Sequence, residues 1–183
     1  GGTDEGRAMA ELVYDIGPQF NISFHSGDNS AADMATAFDE LRQAGADVIT
    51  DDISYFREPV FQDGQIAQAI DRVYLDHGVL VFGSAGNRNG ERYYSTWRDD
   101  DGDGFHEFAA GDETLNLTLA NNEQLRVYLQ WSQLWALGTS DIEIELYDAA
   151  LTTKLADSDI DNNPPLLGFL GDFGFGTPLE TLT

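Results

Sequence analysis

Met9, Leu12, Val13 and Ile16 recur at i, i+3, i+4 and i+7, which marks one stripe of an amphipathic helix over residues 8–16. Thr3 or Asp4 can cap it, and Gly17-Pro18 stops it. Phe20, Ile22 and Phe24 then alternate, predicting a short strand over 20–25. Ser30 with Asp33 three positions on is a capping-box-like start to a second helix, striped by Met34, Phe38 and Leu41 and ended by Gly45. Residues 46–50 read as the next strand, 53–64 as a loop, and 65–77 as a third helix with Ile66, Ile70, Val73 and Tyr74 on one side. Val79 to Phe82 run on without polar alternation, as in a strand covered on both faces. The order helix, strand, helix, strand, helix, strand predicts an α/β fold, a parallel sheet with flanking helices.

After Arg92 the period changes. Leu115, Leu117 and Leu119, then Leu125, Val127, Leu129 and Trp131, then Ile142, Ile144 and Leu146, alternate with polar residues as half-buried antiparallel strands do. Residues 120–123 and 148–153 read as hairpin connections. The chain therefore divides into an α/β region over 1–95 and an antiparallel β-sandwich-like region over 96–183, whose last part, 162–183, is rich in Gly and Pro and weakly periodic.

Charge narrows the partners. A formal net charge of −24, with Lys154 the only lysine, disfavours nucleic acid and anionic membrane surfaces. It suits a high-salt medium or bound divalent cations. No apolar run approaches a membrane span, so none is expected. The absence of cysteine removes disulfide and thiol chemistry.

Asp99, Asp101 and Asp103, with Gly104 following, have the alternating acidic spacing and glycine that fold oxygens around calcium. Ala110 stands where an EF-hand has its bidentate glutamate, and Glu107 is the substitute ligand expected. The alternative is a solvated acidic turn. Asp157, Asp159 and Asp161 lack the glycine, and His25, His77 and His106 show no metal spacing. Trp131 and Trp135 read as core or sandwich surface.

Gly78-Val-Leu-Val-Phe-Gly-Ser-Ala-Gly-Asn87 places an amide on the loop at the carboxyl end of the last parallel strand, where open α/β sheets build their sites. This stretch resembles the segment of subtilisin-like serine peptidases ending in Ala-Gly-Asn, and the resemblance makes Asn87 an oxyanion-hole donor. It extends back over most of the first ninety residues. Glu5-Gly6, a helix before Gly17-Pro18, falls where those enzymes carry the catalytic His and its Gly. The related sedolisins put Glu at that position and Asp one turn on; here the second residue is Met9. By the same resemblance Asp51 or Asp52 would supply a second carboxylate, and Ser54-Tyr55 would border a peptide substrate lying along strand 46–50. The alternatives are a helix-start acid for Glu5, a turn residue for Asn87 and a solvated loop start for Asp51 and Asp52.

The family's nucleophile segment is absent. Gly138-Thr-Ser140 is followed by an alternating stretch, not by a helix. The expectation is a fragment of a subtilisin- or sedolisin-like serine endopeptidase, inactive alone, acting on peptide or protein with the remainder of the same polypeptide supplying the serine. It would be extracellular or secreted. The alternative is a non-catalytic, calcium-stabilised extracellular peptide-binding or adhesion module.

Overall fold

The computed structural model describes residues 4–88, 90–135, 137–158 and 179–182, and shows a mixed α/β protein of helices with small two-stranded sheets. Helix α1 spans Glu5–Ile16, α2 Ala31–Gln43 and α3 Gln65–Asp71, the last running on into a π-helical turn, Arg72–Asp76. Strand β1 is Val48–Asp51 and β2 Leu80–Gly83. They pair in parallel, with Val48 opposite Leu80 and Asp51 opposite Gly83.

Local chemistry explains α2. The Ser30 hydroxyl oxygen accepts the Asp33 N–H at 3.0 Å, satisfying one donor of the first turn. The Asp33 carboxylate accepts from the Asn29 amide at 3.0 Å and does not close the reciprocal half of the box. At the other end Gly45, with φ +93°, takes the left-handed conformation that lets its own N–H and that of Ala46 bond back to Arg42 and Leu41.

The core is the seam where α2, α3 and one face of the parallel pair meet. Met34, Ala35 and Phe38 from α2, Ile49 from β1, Ala69 and Val73 from α3 and its π turn, and Val79 before β2 are all buried together. Tyr55, Ile66, Ile70 and Val81 pack at its margin. The π turn closes on β2 through Val73, whose carbonyl accepts the Val79 N–H at 3.0 Å.

Two expectations about this region change. Val48, Leu80 and Phe82, on the other face of the pair, remain 56 %, 46 % and 58 % exposed, so the strands are covered on one face only. The reason is α1: it buries none of its residues and contributes none to the core. Residues 20–25 form no strand, because their backbone finds no partner strand there; Phe24 instead lies over Gly6 of the preceding helix and Phe20 over Gly17, which caps that helix.

The later region is antiparallel but more modest than a sandwich. Strand β3, Val127–Gln130, pairs with β6, Leu179–Leu182; strand β4, Glu145–Tyr147, pairs with β5, Lys154–Asp157. The hairpin turn at 148–153 forms as expected, with Asp148 accepting N–H bonds from Thr152 and Thr153. The 120–123 turn forms too, its Glu123 N–H bonded to Ala120 at 3.1 Å. Residues 115–119 are irregular despite their alternation, since period 2 creates a strand only where another strand supplies the ladder. Asp159, Asp161 and the stretch 162–178 lie outside the described residues.

Candidate functional site

Parallel pairing decides which loops meet. Because Asp51 stands opposite Gly83, the chain leaves β1 at Asp51-Asp52 and β2 at Ser84 to Asn87 on the same carboxyl edge. The Ser84 N–H donates to the Asp51 carbonyl at 3.2 Å and ties the two exits together. A side chain on Gly83 would stand 3.5 Å from Asp51 Oδ2, so the carboxylate lies over the end of β2. Burial pushes the Asp51 carboxyl up; the Ile53 N–H it accepts draws it down, and the neighbouring Asp52 charge raises it again. Asp52 and Asn87 are exposed at this edge.

The other residues expected around this edge are placed as follows. Glu5 is exposed in the first turn of α1, with Met9 half-buried one turn on. Its neighbour Gly6 meets the Phe24 ring. Ser54 is exposed. Tyr55 is half-buried, its hydroxyl directed at the Gly27 carbonyl and 3.0 Å from that of Ser30. That bond fastens the segment before α2 to the loop after β1, a tethering role that the sequence pattern did not reveal. Loss of solvent raises the Tyr55 phenol, and the charges of Asp28 and Asp33 add to it.

The acidic loop is the second candidate. Asp99, Asp101 and Asp103 bring one carboxylate oxygen each to within 4.8 Å of one another, and this group could hold a metal ion. The loop organises itself. Asp99 accepts the N–H groups of Gly102 at 2.7 Å and Gly104 at 3.1 Å, and Asp103 accepts that of Phe105 at 2.9 Å. Gly102 and Gly104 have φ of +80° and +94°, which glycine supplies at least cost. The donor set is all carboxylate oxygen, the kind that hard divalent cations take, and each oxygen keeps a lone pair beyond its N–H bond.

Glu107 is placed differently from the expectation. It is 6 % exposed, bonds Arg98 Nη2 at 2.6 Å, and accepts the N–H groups of Gly111 and Asp100. The Arg98 hydrogen bond holds its carboxyl below the usual range, with the Gly111 N–H next in effect. The structure thus turns Glu107 inward as the brace of the loop, outside the converging triad. Sequence reasoning missed Arg98, its partner, and Glu113. Burial raises the Glu113 carboxyl, and the charges of Asp103 and Asp101 raise it further, so it belongs to the same negative field. Nothing in the spacing marks Glu113. Arg98 had a signal, a lone cation beside an acidic run.

Beside the loop, the rings of Trp97, His106, Tyr93 and Phe108 lie in contact, with centroids 5.0–6.1 Å apart. Gly138-Thr-Ser140 lies in irregular chain, where Gln133 accepts the N–H groups of Thr139 and Ser140, and it opens no helix. Among the described residues no helix is long and apolar enough to cross a membrane.

These features define a mixed α/β protein with two polar loop clusters, one at the carboxyl edge of a parallel pair and one acidic and able to gather a cation. No family model, curated protein or solved structure matches the chain.

Proposed function

We propose that this chain is part of an extracellular subtilisin- or sedolisin-like serine endopeptidase, with a calcium ion held at Asp99, Asp101 and Asp103. The observation that supports the peptidase reading is the register that brings Asp51-Asp52 and the Asn87 turn to one carboxyl edge. A serine from another part of the polypeptide would attack the peptide carbonyl carbon. Asn87 would donate a side-chain N–H to the oxygen as it gains charge, and Glu5 would take the serine proton. Asp51, raised by burial, would be the edge carboxyl able to hold a proton in acid. A peptide would lie along β1 past Ser54 and Tyr55.

A second reading has its own observation. Glu5 sits exposed on a helix that buries nothing, with Met9 where a partner carboxylate would stand. That favours a peptide-binding or adhesion module without catalysis.

Hydrolysis of a protein substrate by the full-length gene product separates the two. With the peptidase reading, Asn87→Ala lowers kcat by about 10²–10³-fold and leaves KM nearly unchanged. Activity indifferent to Asn87→Ala refutes the oxyanion role. A folded gene product that binds peptide without hydrolysing it establishes the second reading. Calcium is tested separately, by melting with and without chelator. An ion bound only by the folded state raises Tm with its free concentration, and Asp101→Asn weakens that dependence. A Tm indifferent to both removes calcium.

A further inference from the structure

The loop 53–64 leaves β1 beside Asp51-Asp52 and must reach α3 over the same edge as Asn87. It has little backbone bonding of its own to fix its path: the Glu58 N–H reaches the Tyr55 carbonyl at 3.0 Å. Its ends are tied locally, by the Tyr55 hydroxyl to the Gly27 and Ser30 carbonyls, by Glu58 accepting the Ile66 N–H at 2.7 Å and by Gln68 donating to the Asp63 carbonyl at 2.8 Å. The backbone of its middle, Phe56 to Val60, is held from far along the chain. Gln130, the last residue of β3, accepts the Val60 N–H at 2.9 Å and donates to the Phe56 and Glu58 carbonyls at 3.1 and 2.9 Å. These three bonds dictate the orientation of the amide. Turned over, it would set its NH2 against an N–H and its oxygen against two carbonyls. Gln62 adds a fourth tie, accepting the Trp135 N–H at 2.9 Å.

Two residues before Gln130, on the same face of β3, Tyr128 stacks on Phe56 with ring centroids 5.2 Å apart and planes inclined by 23°. Phe56 in turn carries the Arg88 guanidinium, centred 5.3 Å from its ring centroid. Arg88 is also paired with Glu91 at 2.9 Å. It is the residue next to Asn87. A continuous stack therefore runs from β3 through Phe56 and Arg88 to the Asn87 turn.

The backing of β3 is firm. It is laddered to β6, with Tyr128 opposite Thr181 and Gln130 opposite Leu179, and Leu179 and Leu182 are buried. Phe56, by contrast, is 43 % exposed and Val60 71 % exposed, so the contact buries little apolar surface. Its specific content is geometric. A hydrogen-bonded amide and a stacked ring set the backbone of one loop and the direction of the next.

We propose that β3 is a positioning element for the carboxyl edge, with Gln130 fixing loop 53–64 and Tyr128, Phe56 and Arg88 aligning the Asn87 turn. The fixing of the loop stands by itself; the catalytic meaning of the alignment rests on Asn87 being the oxyanion donor. Phe56, Arg88, Tyr128 and Gln130 are positioning residues and touch no reacting atom.

The test uses the intact chain, amide exchange and NMR. Gln130→Leu accelerates exchange of the Val60 amide roughly tenfold, while the Phe38 amide inside α2 exchanges as before and certifies the fold. Gln130→Glu keeps an acceptor for Val60 but sets a carboxylate oxygen against the Phe56 and Glu58 carbonyls, so the clasp predicts that Val60 loses protection there too. Phe56→Leu shifts the side-chain resonances of Asn87 and Arg88, and Phe56→Tyr restores them, a ring-specific rescue that mere space-filling would not produce. An unchanged Val60 amide in Gln130→Leu overturns the clasp. Asn87 and Arg88 resonances indifferent to Phe56→Leu overturn the alignment. Neither measurement requires hydrolysis, so both outcomes are independent of whether Asn87→Ala affects kcat.

Discussion

Phe38→Ala tests whether the small core described above carries the stability of the α/β region. Phe38 is 1 % exposed and sits among Met34, Ala35, Ile49, Ala69, Val73 and Val79. Truncating a fully buried Phe costs about 3–5 kcal/mol, the transfer of the ring plus the cavity it leaves. Leu41, Ile66 and Ile70 at the margin are only partly buried and can move inward, which places the expected cost at the low end, about 3 kcal/mol. Against a usual total of about 5–15 kcal/mol, that is a large loss. With a urea m-value near 2 kcal/mol/M it moves the midpoint by roughly 1.5 M. The assay can watch the two regions separately. All three tryptophans, Trp97, Trp131 and Trp135, lie in the later region, whereas the three helices dominate the far-ultraviolet ellipticity. In wild type the Gln130 clasp joins the regions, so fluorescence and ellipticity should report one transition. In Phe38→Ala the ellipticity midpoint should fall by that amount. A loss below about 1 kcal/mol would refute the argument that this seam is the core.

Two further predictions are narrower. Ser30→Ala removes the acceptor for the Asp33 N–H and should cost about 1 kcal/mol by urea unfolding, whereas Ser30→Asp should cost almost nothing; equal losses would show that the cap is not the cause. Glu107, held below the usual carboxylate range chiefly by Arg98, contributes stability that is complete above the ordinary glutamate pKa and is lost as pH falls through its lower folded value. Wild type should therefore lose stability relative to Glu107→Gln as pH drops below about 4.3, and parallel pH profiles for the two proteins would remove the Arg98 brace from the account.

The helices were legible because their signals are local. The Ser30 cap, the Gly45 stop and the stripe of Met34, Phe38 and Leu41 all act within a few residues, and the structure places each where the spacing does. The parallel pair was legible from the apolar run at 79–82, but its coverage was not, since α1 has a good stripe and still buries nothing. A stripe states what a helix can bury, not what lies opposite it. The strand pattern at 115–119 failed for a related reason: alternation specifies a face, and a ladder needs a partner. In the acidic loop the Asp triad was readable from spacing. Glu107 was not, because Arg98 and two backbone N–H groups claim it, and those preferences depend on how the chain folds back.

The Gln130 clasp also has a consequence for biogenesis. Its bonds join residues separated by 70, 72 and 74 positions, so they form only after the intervening chain exists. At synthesis rates of about 5–20 residues per second, loop 53–64 waits roughly 4–14 s for β3 to be translated. During that interval α2, β1, α3 and β2 already have everything their seam requires. The newborn chain therefore passes through a period in which its core is built and Tyr55 is tied down, but the Phe56 to Val60 stretch of the edge loop still lacks its clasp.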